Sequence, residues 1–469
     1  MSSTTASGRG TERRPANKAR SAEARLLAFA VVITVFASAL LGWSQGPELP
    51  PSVIVTGVAL TVIAIVAHLV VRAVAPDADP TLLPIAFLLN GLGLVFVRRV
   101  DLAAGSDLAT TQTIWTAVSV AAMCGVLVLV PAVRMLSRYQ YTFGLLTLVL
   151  LVLPVVPGLT AGPINGAQLW IDVAGMRFQP GELAKITMVV FLAGYLERKR
   201  ALLSVANQRL GPFLIPPPRH LAPVLLATFA ALVVMAGLRD LGSALLLFGS
   251  FMAVLYVATG RLAYPVLGLG AFAIASTIAY RLFGHVRVRV SIWLDPWSQV
   301  TDAGYQLAQS LFALGTGGLT GTGLGAGRPQ DVPFSSTDAI FAVVGEELGL
   351  LGATAMLVAF LLLVMRGYKI SLTARDEFGT LLALGVTFTI ALQTFVIVGG
   401  LTRVVPLTGI TLPFVSYGGS SLLGNYILIA LLLRISDESR GSARGRVLDR
   451  SGRSGRSGSR RGADAEGAR

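Results

Sequence analysis

Residues 339–365 read AIFAVVGEELGLLGATAMLVAFLLLVM, an unbroken apolar run interrupted only by the adjacent acids Glu346 and Glu347. A bilayer's hydrocarbon core accepts about 20 apolar residues as a helix, so this stretch predicts a membrane span. Moving outward, eleven more such segments appear, at 26–43, 52–71, 81–97, 114–133, 141–158, 183–197, 221–237, 241–259, 262–282, 379–399 and 413–433. They are continuous, whereas a closed barrel would show segments of about ten alternating residues. Backbone groups in lipid must pair within their own segment, which helices do. The sequence therefore predicts an all-α polytopic membrane protein of twelve transmembrane helices.

Composition agrees. Charged residues make up 13% of the chain, against roughly 25% in soluble domains, which excludes a water-soluble enzyme with one core. The single cysteine, Cys124, and three histidines, His68, His220 and His285, exclude an intramolecular disulfide and a cysteine or histidine metal cluster. No GxxxxGK[ST] loop or strand–GxGxxG–helix unit is present. The run Gly315–Gly327 (GTGGLTGTGLGAG) lacks a flanking βαβ pattern and reads as a flexible or closely packed loop.

With the N-terminus cytoplasmic, 28 of the 38 Lys and Arg residues fall on the inner side, as the positive-inside rule requires. Both termini are then cytoplasmic. Residues 26–43 follow a basic run without a small-residue cleavage site, and read as an anchor that stays. The net charge of +14 needs no nucleic acid; basic tails beside a membrane attract anionic membrane lipids. Residues 1–22 and 435–469, rich in Gly, Ser and Arg, are expected to be disordered, because they cannot bury enough surface to offset folding entropy. Residues 26–71 form two N-terminal helices and 81–434 the main helical unit.

The polar sequence gathers on the outer side, in residues 159–182 and in a loop of over fifty residues, 283–338, expected to be partly ordered. Four ionisable or polar clusters lie at the outer ends of spans, where charge is costly without a partner or a task. Arg177–Lys185 (RFQPGELAK) places Glu182 and Lys185 on one helix face, as an interfacial ion pair or as a cation for an anionic substrate. Arg239 and Asp240 form a tight turn. Asp338 precedes a span as a cap or as a functional acid, with Glu346 and Glu347 deeper and in need of partners. Thr411–Leu423 (TLPFVSYGGSSLL) offers hydroxyls and backbone donors to a cavity.

Five stretches, GAQLWIDVAGMRFQPGELAK, RDLGSALLLF, GYQLAQSLFALGTGG, STDAIFAVVGEELGLLG and PLTGITLPFVSYGGSSLL, resemble in order and spacing the shape, elongation, division and sporulation (SEDS) family, which includes RodA and FtsW. DPTLLPIAFLLNGLGLVFVRRVD is similar to RodA-type members of actinobacteria. The resemblance covers 81–434 and implies a ten-helix unit with two added N-terminal helices. It implies a peptidoglycan glycosyltransferase of cell elongation and shape, which polymerises lipid II on the outer face of the cell membrane beside a class B penicillin-binding protein.

By the same resemblance Asp338 matches the family's catalytic carboxylate, Trp170 its aromatic, and Gln179, Glu182 and Lys185 its Phe-Gln-Pro-x-Glu-x-x-Lys motif. Two positions depart: Ser336 stands where the family has His, and Leu169 where it often has Arg. Polymerisation asks for one base to take a proton from the acceptor hydroxyl, assigned to Asp338. Lys185, with Arg177 or Arg239, and a divalent cation (Mg or Mn) of the kind the family uses, would neutralise the departing pyrophosphate. Asp240 joins them, and Gln306, Ser310, Ser416 and Tyr417 would line the sugar site. The competing readings are a lipid II flippase and a non-catalytic scaffold for a transpeptidase.

Overall fold

Each of the twelve apolar segments overlaps a helix in the computed structural model, which describes residues 14–46, 50–163, 167–173, 176–204, 208–210, 213–215 and 222–441; the segment expected at 413–433 becomes helical only from Gly419. The first six helices are α1 (Arg14–Trp43), α2 (Pro51–Val74), α3 (Leu82–Ala104), α4 (Leu108–Leu129), the short α5 (Arg134–Arg138) and α6 (Gln140–Val152). There follow α7 (Pro180–Ser204), α8 (Ala222–Gly237), α9 (Leu241–Thr259), α10 (Ala263–Leu282), α11 (Gly284–Leu294), α12 (Tyr305–Gly317), α13 (Ile340–Thr373) and α14 (Glu377–Leu401). The last, α15, is Gly419–Gly441. Among the described residues nine are long and apolar enough to cross a membrane, and Gln140–Val155 and Ala222–Gly237 are shorter apolar helices. The protein is an all-α polytopic membrane protein.

A helix apolar on every side belongs in the interior of a bundle, and α7 shows it: Ala184, Met188, Val189, Phe191, Leu192 and Leu196 are all buried. It packs against α6, α9 and α14. α1 and α2 instead turn Phe29, Val32, Phe36, Ile54, Val58 and Val62 outward, as expected of lipid-facing surface. The loop before α7 forms an antiparallel hairpin of β1 (Ile171–Val173) and β2 (Met176–Phe178), with Asp172 opposite Arg177. The second hairpin pairs β3 (Gln208–Leu210) with β4 (Phe213–Ile215).

The helical ends correct the expected tails. α15 continues through 435–441, because its polar side chains there hold neighbouring loops. Asp437 accepts from the Asp77 amide at 2.8 Å, Glu438 from the Val133 amide at 2.6 Å, and Arg440 pairs with Asp79. α1 likewise begins at Arg14, and Arg20 pairs with Glu23 at 2.5 Å. Residues 1–13 and 442–469, the rest of those tails, lie outside the described residues.

The glycine-rich run is packed against α13: Gly325 N–H donates to the Glu347 carboxylate at 2.9 Å, and Arg328 N–H, just after the run, to Glu346 Oε1 at 3.1 Å. At Gly349 (φ 67°, ψ −168°) the backbone leaves the helix. The loop after α12 fills the break: Thr322 N–H donates to the Glu346 carbonyl at 2.9 Å and Gly323 N–H to that of Glu347 at 3.0 Å. Leu350 and Leu351 N–H groups donate back to Gly318 and Leu319. Arg99 of α3 donates to Glu347 Oε1 and to the Gly327 carbonyl, both at 2.6 Å. A buried acid is tolerable when so satisfied. The half-helix from Ile340 to Leu348 is thus plugged at one end and carries Asp338 just beyond the other.

Candidate active site

The segment joining α14 to α15 is the hub of the site, because side chains of α4, α11 and α14 end on its backbone and it reaches in turn to the residues before α13. Arg289 of α11 donates to the carbonyls of Leu407 (3.3 Å) and Thr408 (2.8 Å). Gln393 of α14 donates to the Thr411 carbonyl at 2.7 Å. Gln112 of α4 brackets the next turn, donating to the Ser416 carbonyl and accepting from Gly418 N–H. The Ser416 hydroxyl donates to the Thr337 carbonyl at 2.6 Å and accepts from Leu412 N–H at 2.8 Å, while Tyr417 N–H donates to the Ser336 carbonyl. Gln179 N–H donates to the Ser420 hydroxyl at 2.9 Å.

The backbone pays for this convergence. Among the described residues four non-glycines have positive φ, namely Arg239, Phe334, Arg403 and Phe414, and all lie in the loops at this end of the bundle. Each left-handed residue costs about 1–2 kcal/mol, and such strain persists where the surroundings impose it.

Asp338 is half-buried beside Gly409 and faces the Arg289 guanidinium. Burial pushes its carboxyl up to about 6, with Arg289 and the Thr337 hydroxyl pulling the other way. Arg289 also faces Asp240. Asp240 is buried and caps α9, accepting from Ser243 N–H at 2.9 Å; burial raises its carboxyl too, against the Ser243 bonds and the charge of Lys185. Lys185 lies 2.8 Å from Glu182 and donates to Gln393 at 3.3 Å. Charges therefore alternate through the site in the order Asp338, Arg289, Asp240, Lys185, Glu182.

Beside Asp240 lies a shallow, mostly apolar depression lined by Leu150, Leu151, Pro154, Leu169, Met235 and Leu238, with Gln179 and Asp240 as its polar members. The arrangement can take up a proton near neutral pH at Asp338, present cations to an anion, and offer an apolar surface alongside.

Residues 80–441 match the model of the FtsW, RodA and SpoVE family, described as cell cycle proteins. The chain belongs to the FtsW/RodA/SpoVE family. It is 44% identical over 438 residues to the peptidoglycan glycosyltransferase RodA of Mycobacterium tuberculosis, covering 92% of this chain and 93% of the relative. RodA of Mycobacterium leprae is also 44% identical, over 91% and 92% of the two chains. Among solved structures, a chain of a peptidoglycan synthase complex coordinating polymerization and crosslinking matches with a TM-score of 0.63 at 26% identity, over 77% of this chain and 98% of that one. A mutant of the rod shape determining protein RodA of Thermus thermophilus matches with a TM-score of 0.55 at 25% identity, over 76% and 97%.

In this family member the residues expected from the sequence divide into three groups. Asp338, Asp240, Lys185, Glu182 and Gln179 come together around the α14–α15 segment. Arg177 and Arg239 are exposed, and the cation that faces both aspartates is Arg289, which sequence reasoning did not single out. Its signal was faint, an arginine in HVRVRVSIW some fifty residues before Asp338, indistinguishable there from Arg287.

The third group is engaged by the protein itself. Ser310 is fully buried and its hydroxyl donates to the Gln306 carbonyl at 2.8 Å. Ser416 holds Thr337, and Tyr417 holds Ser336 through its amide. Gln306 keeps a buried amide nitrogen with no partner among the described residues. Trp170 is partly buried, its carbonyl accepting from Ala161 N–H at 3.0 Å.

Proposed function

We propose that this chain is a peptidoglycan glycosyltransferase that polymerises lipid II, with Asp338 as the general base. The observation that carries the reading is the half-buried Asp338 carboxyl, held near a pKa of about 6 beside Arg289. A base works best when its pKa lies near the working pH. The acceptor sugar hydroxyl gives its proton to Asp338 as its oxygen attacks the anomeric carbon of the donor. The bond to pyrophosphate breaks on the opposite face, so an α-linked donor becomes a β-1,4 glycan.

Arg289 and Lys185 offer positive charge to the departing pyrophosphate in a site of low dielectric, where fixed charges act most strongly. The apolar lining of the depression suits the prenyl chain, whose transfer to water would cost about 0.8 kcal/mol per CH₂. A divalent cation finds no carboxylate cage here: the guanidinium of Arg289 stands between the two aspartates, and among the described residues no three His, Cys, Asp or Glu could share an ion.

The distribution of Lys and Arg supports placing both termini in the cytoplasm, and hence Asp338 on the outer face of the cell membrane. The likeness to a chain of a peptidoglycan synthase complex supports a class B penicillin-binding protein as partner.

The test is purified protein in detergent micelles supplied with lipid II. Glycan chains are expected from the native protein, and none from Asp338→Asn protein that is equally folded. A flippase or a scaffold would make no polymer, since a micelle has no second leaflet. Polymerisation at the native rate by Asp338→Asn would remove the base assignment.

A further inference from the structure

The hairpin of α1 and α2 lies ahead of the region that matches the family model, which begins at residue 80. Nothing in the polymerase reading requires it, yet it is tied to the body of the protein at both ends. At the end remote from Asp338, buried Glu23 of α1 pairs with Arg20 and, at 2.8 Å, with His68 of α2, while Arg20 also donates to the Ala78 carbonyl. Along its length α1 lies on α3, with Thr34 seated where Gly91 has no side chain: its Cγ2 is 2.9 Å from where a Cβ would start. At the opposite end of the hairpin, Arg98 of α3 donates to the Ser52 hydroxyl of α2 at 3.3 Å.

The last turn of α1 then meets the glycine-rich loop. Gly325 (φ 90°) has no room for a side chain, because Ser44 occupies the space: its Cβ lies 2.9 Å from the position a Cβ at 325 would take, and buried Leu41 follows at 3.6 Å. Gly325 is also the residue whose N–H donates to Glu347 Oε2 at 2.9 Å. The same carboxylate holds Arg99. Ser44, Gly325, Glu347 and the half-helix that begins at Ile340, just after Asp338, form one contiguous series of packed contacts.

We propose that the α1–α2 hairpin is a positioning strut for Asp338, which fixes the glycine-rich loop through Ser44 and Leu41 and so sets where the half-helix from Ile340 to Leu348 presents the carboxyl. The proposal rests on the reading of Asp338 as the base. A strut must have a fixed foot and a stiff body, and the buried Arg20–Glu23–His68 cluster supplies the foot. Packed interiors transmit displacement because they have little free volume. A misplacement of about 1 Å at a reacting group can cost roughly a hundredfold in rate.

The experiment compares kcat and KM for lipid II in Ser44→Trp, Leu41→Ala and Val58→Trp proteins. Val58 faces outward on α2, so the last carries equal bulk away from the loop. Ser44→Trp and Leu41→Ala are expected to lose roughly tenfold or more in kcat with KM within about twofold, while Val58→Trp stays at the native rate. Should Ser44→Trp not fold, Leu41→Ala carries the test, because it empties space and forces nothing apart. Native kcat in folded Leu41→Ala, or losses that only follow the folded fraction, would overturn the strut. Inactive Asp338→Asn alongside fully active Ser44→Trp and Leu41→Ala would sink the strut alone and leave the base assignment standing.

Discussion

The Ser416 hydroxyl donates to the carbonyl of Thr337 at 2.6 Å, tethering the residue next to Asp338 to the segment that also receives Arg289. Acid and cation are thereby held by one short stretch of chain. The same hydroxyl accepts from Leu412 N–H, so its removal strands a buried donor and a buried acceptor together. Such a loss costs about 1–3 kcal/mol. We expect Ser416→Ala to reduce turnover about tenfold or more and to lower the melting temperature measurably in detergent. Ser416→Thr, which keeps the hydroxyl, should recover much of the rate. A fully active Ser416→Ala protein would show that the tether is dispensable.

Asp338 ionises at about 6, so the polymerisation rate should fall as pH drops through that value, the base being protonated below it. Arg289 favours the charged carboxylate. Removing it, as in Arg289→Gln, leaves burial opposed only by the Thr337 hydroxyl and moves the acid limb of the rate profile to higher pH, with a lower plateau from the lost cation. Initial rates between pH 5 and 8 read both effects. A limb that stays in place, or moves down, would show that Arg289 does not act on Asp338.

Lys185 and Glu182 form a buried pair at 2.8 Å. Breaking such a pair by removing one partner costs about 3–5 kcal/mol, whereas replacing both can be neutral. Lys185→Met should therefore lower both stability and rate. The double substitution Glu182→Gln with Lys185→Met should restore thermal stability but not rate, if the ammonium serves the pyrophosphate. Recovery of both would reduce the pair to a structural role.

Gly349 sits at φ 67° with the Leu319 carbonyl oxygen 2.6 Å from where a Cβ would begin. Gly349→Ala must strain the backbone and displace the glycine-rich loop, and we expect a loss of about 1–3 kcal/mol together with a reduced kcat. Circular dichroism melts in detergent and lipid II turnover measure the two. Gly158→Ala is a fair comparison: φ is 88° there, but nothing crowds the added Cβ, so strain alone should appear, with kcat unchanged.

Read on its own, the sequence settled the helical class, because runs of apolar residues as long as a bilayer is thick leave the backbone no other way to satisfy itself. It also marked Asp338, Asp240, Glu182 and Lys185, since charge beside lipid is scarce and each instance asks for a reason. The extension of α15 past Arg434 escaped it, because a Gly, Ser and Arg composition is silent about Asp437, Glu438 and Arg440 serving as caps for loops distant in the chain. The choice of Arg289 over Arg177 and Arg239 belonged to tertiary structure alone. So did the closure of the α13 break by Gly318–Gly327 and the contact of Ser44 with Gly325. Local patterns report how a segment meets its solvent, whereas these features are meetings between segments up to about 360 residues apart, and chain connectivity carries no record of which distant groups will share a boundary once the helices pack.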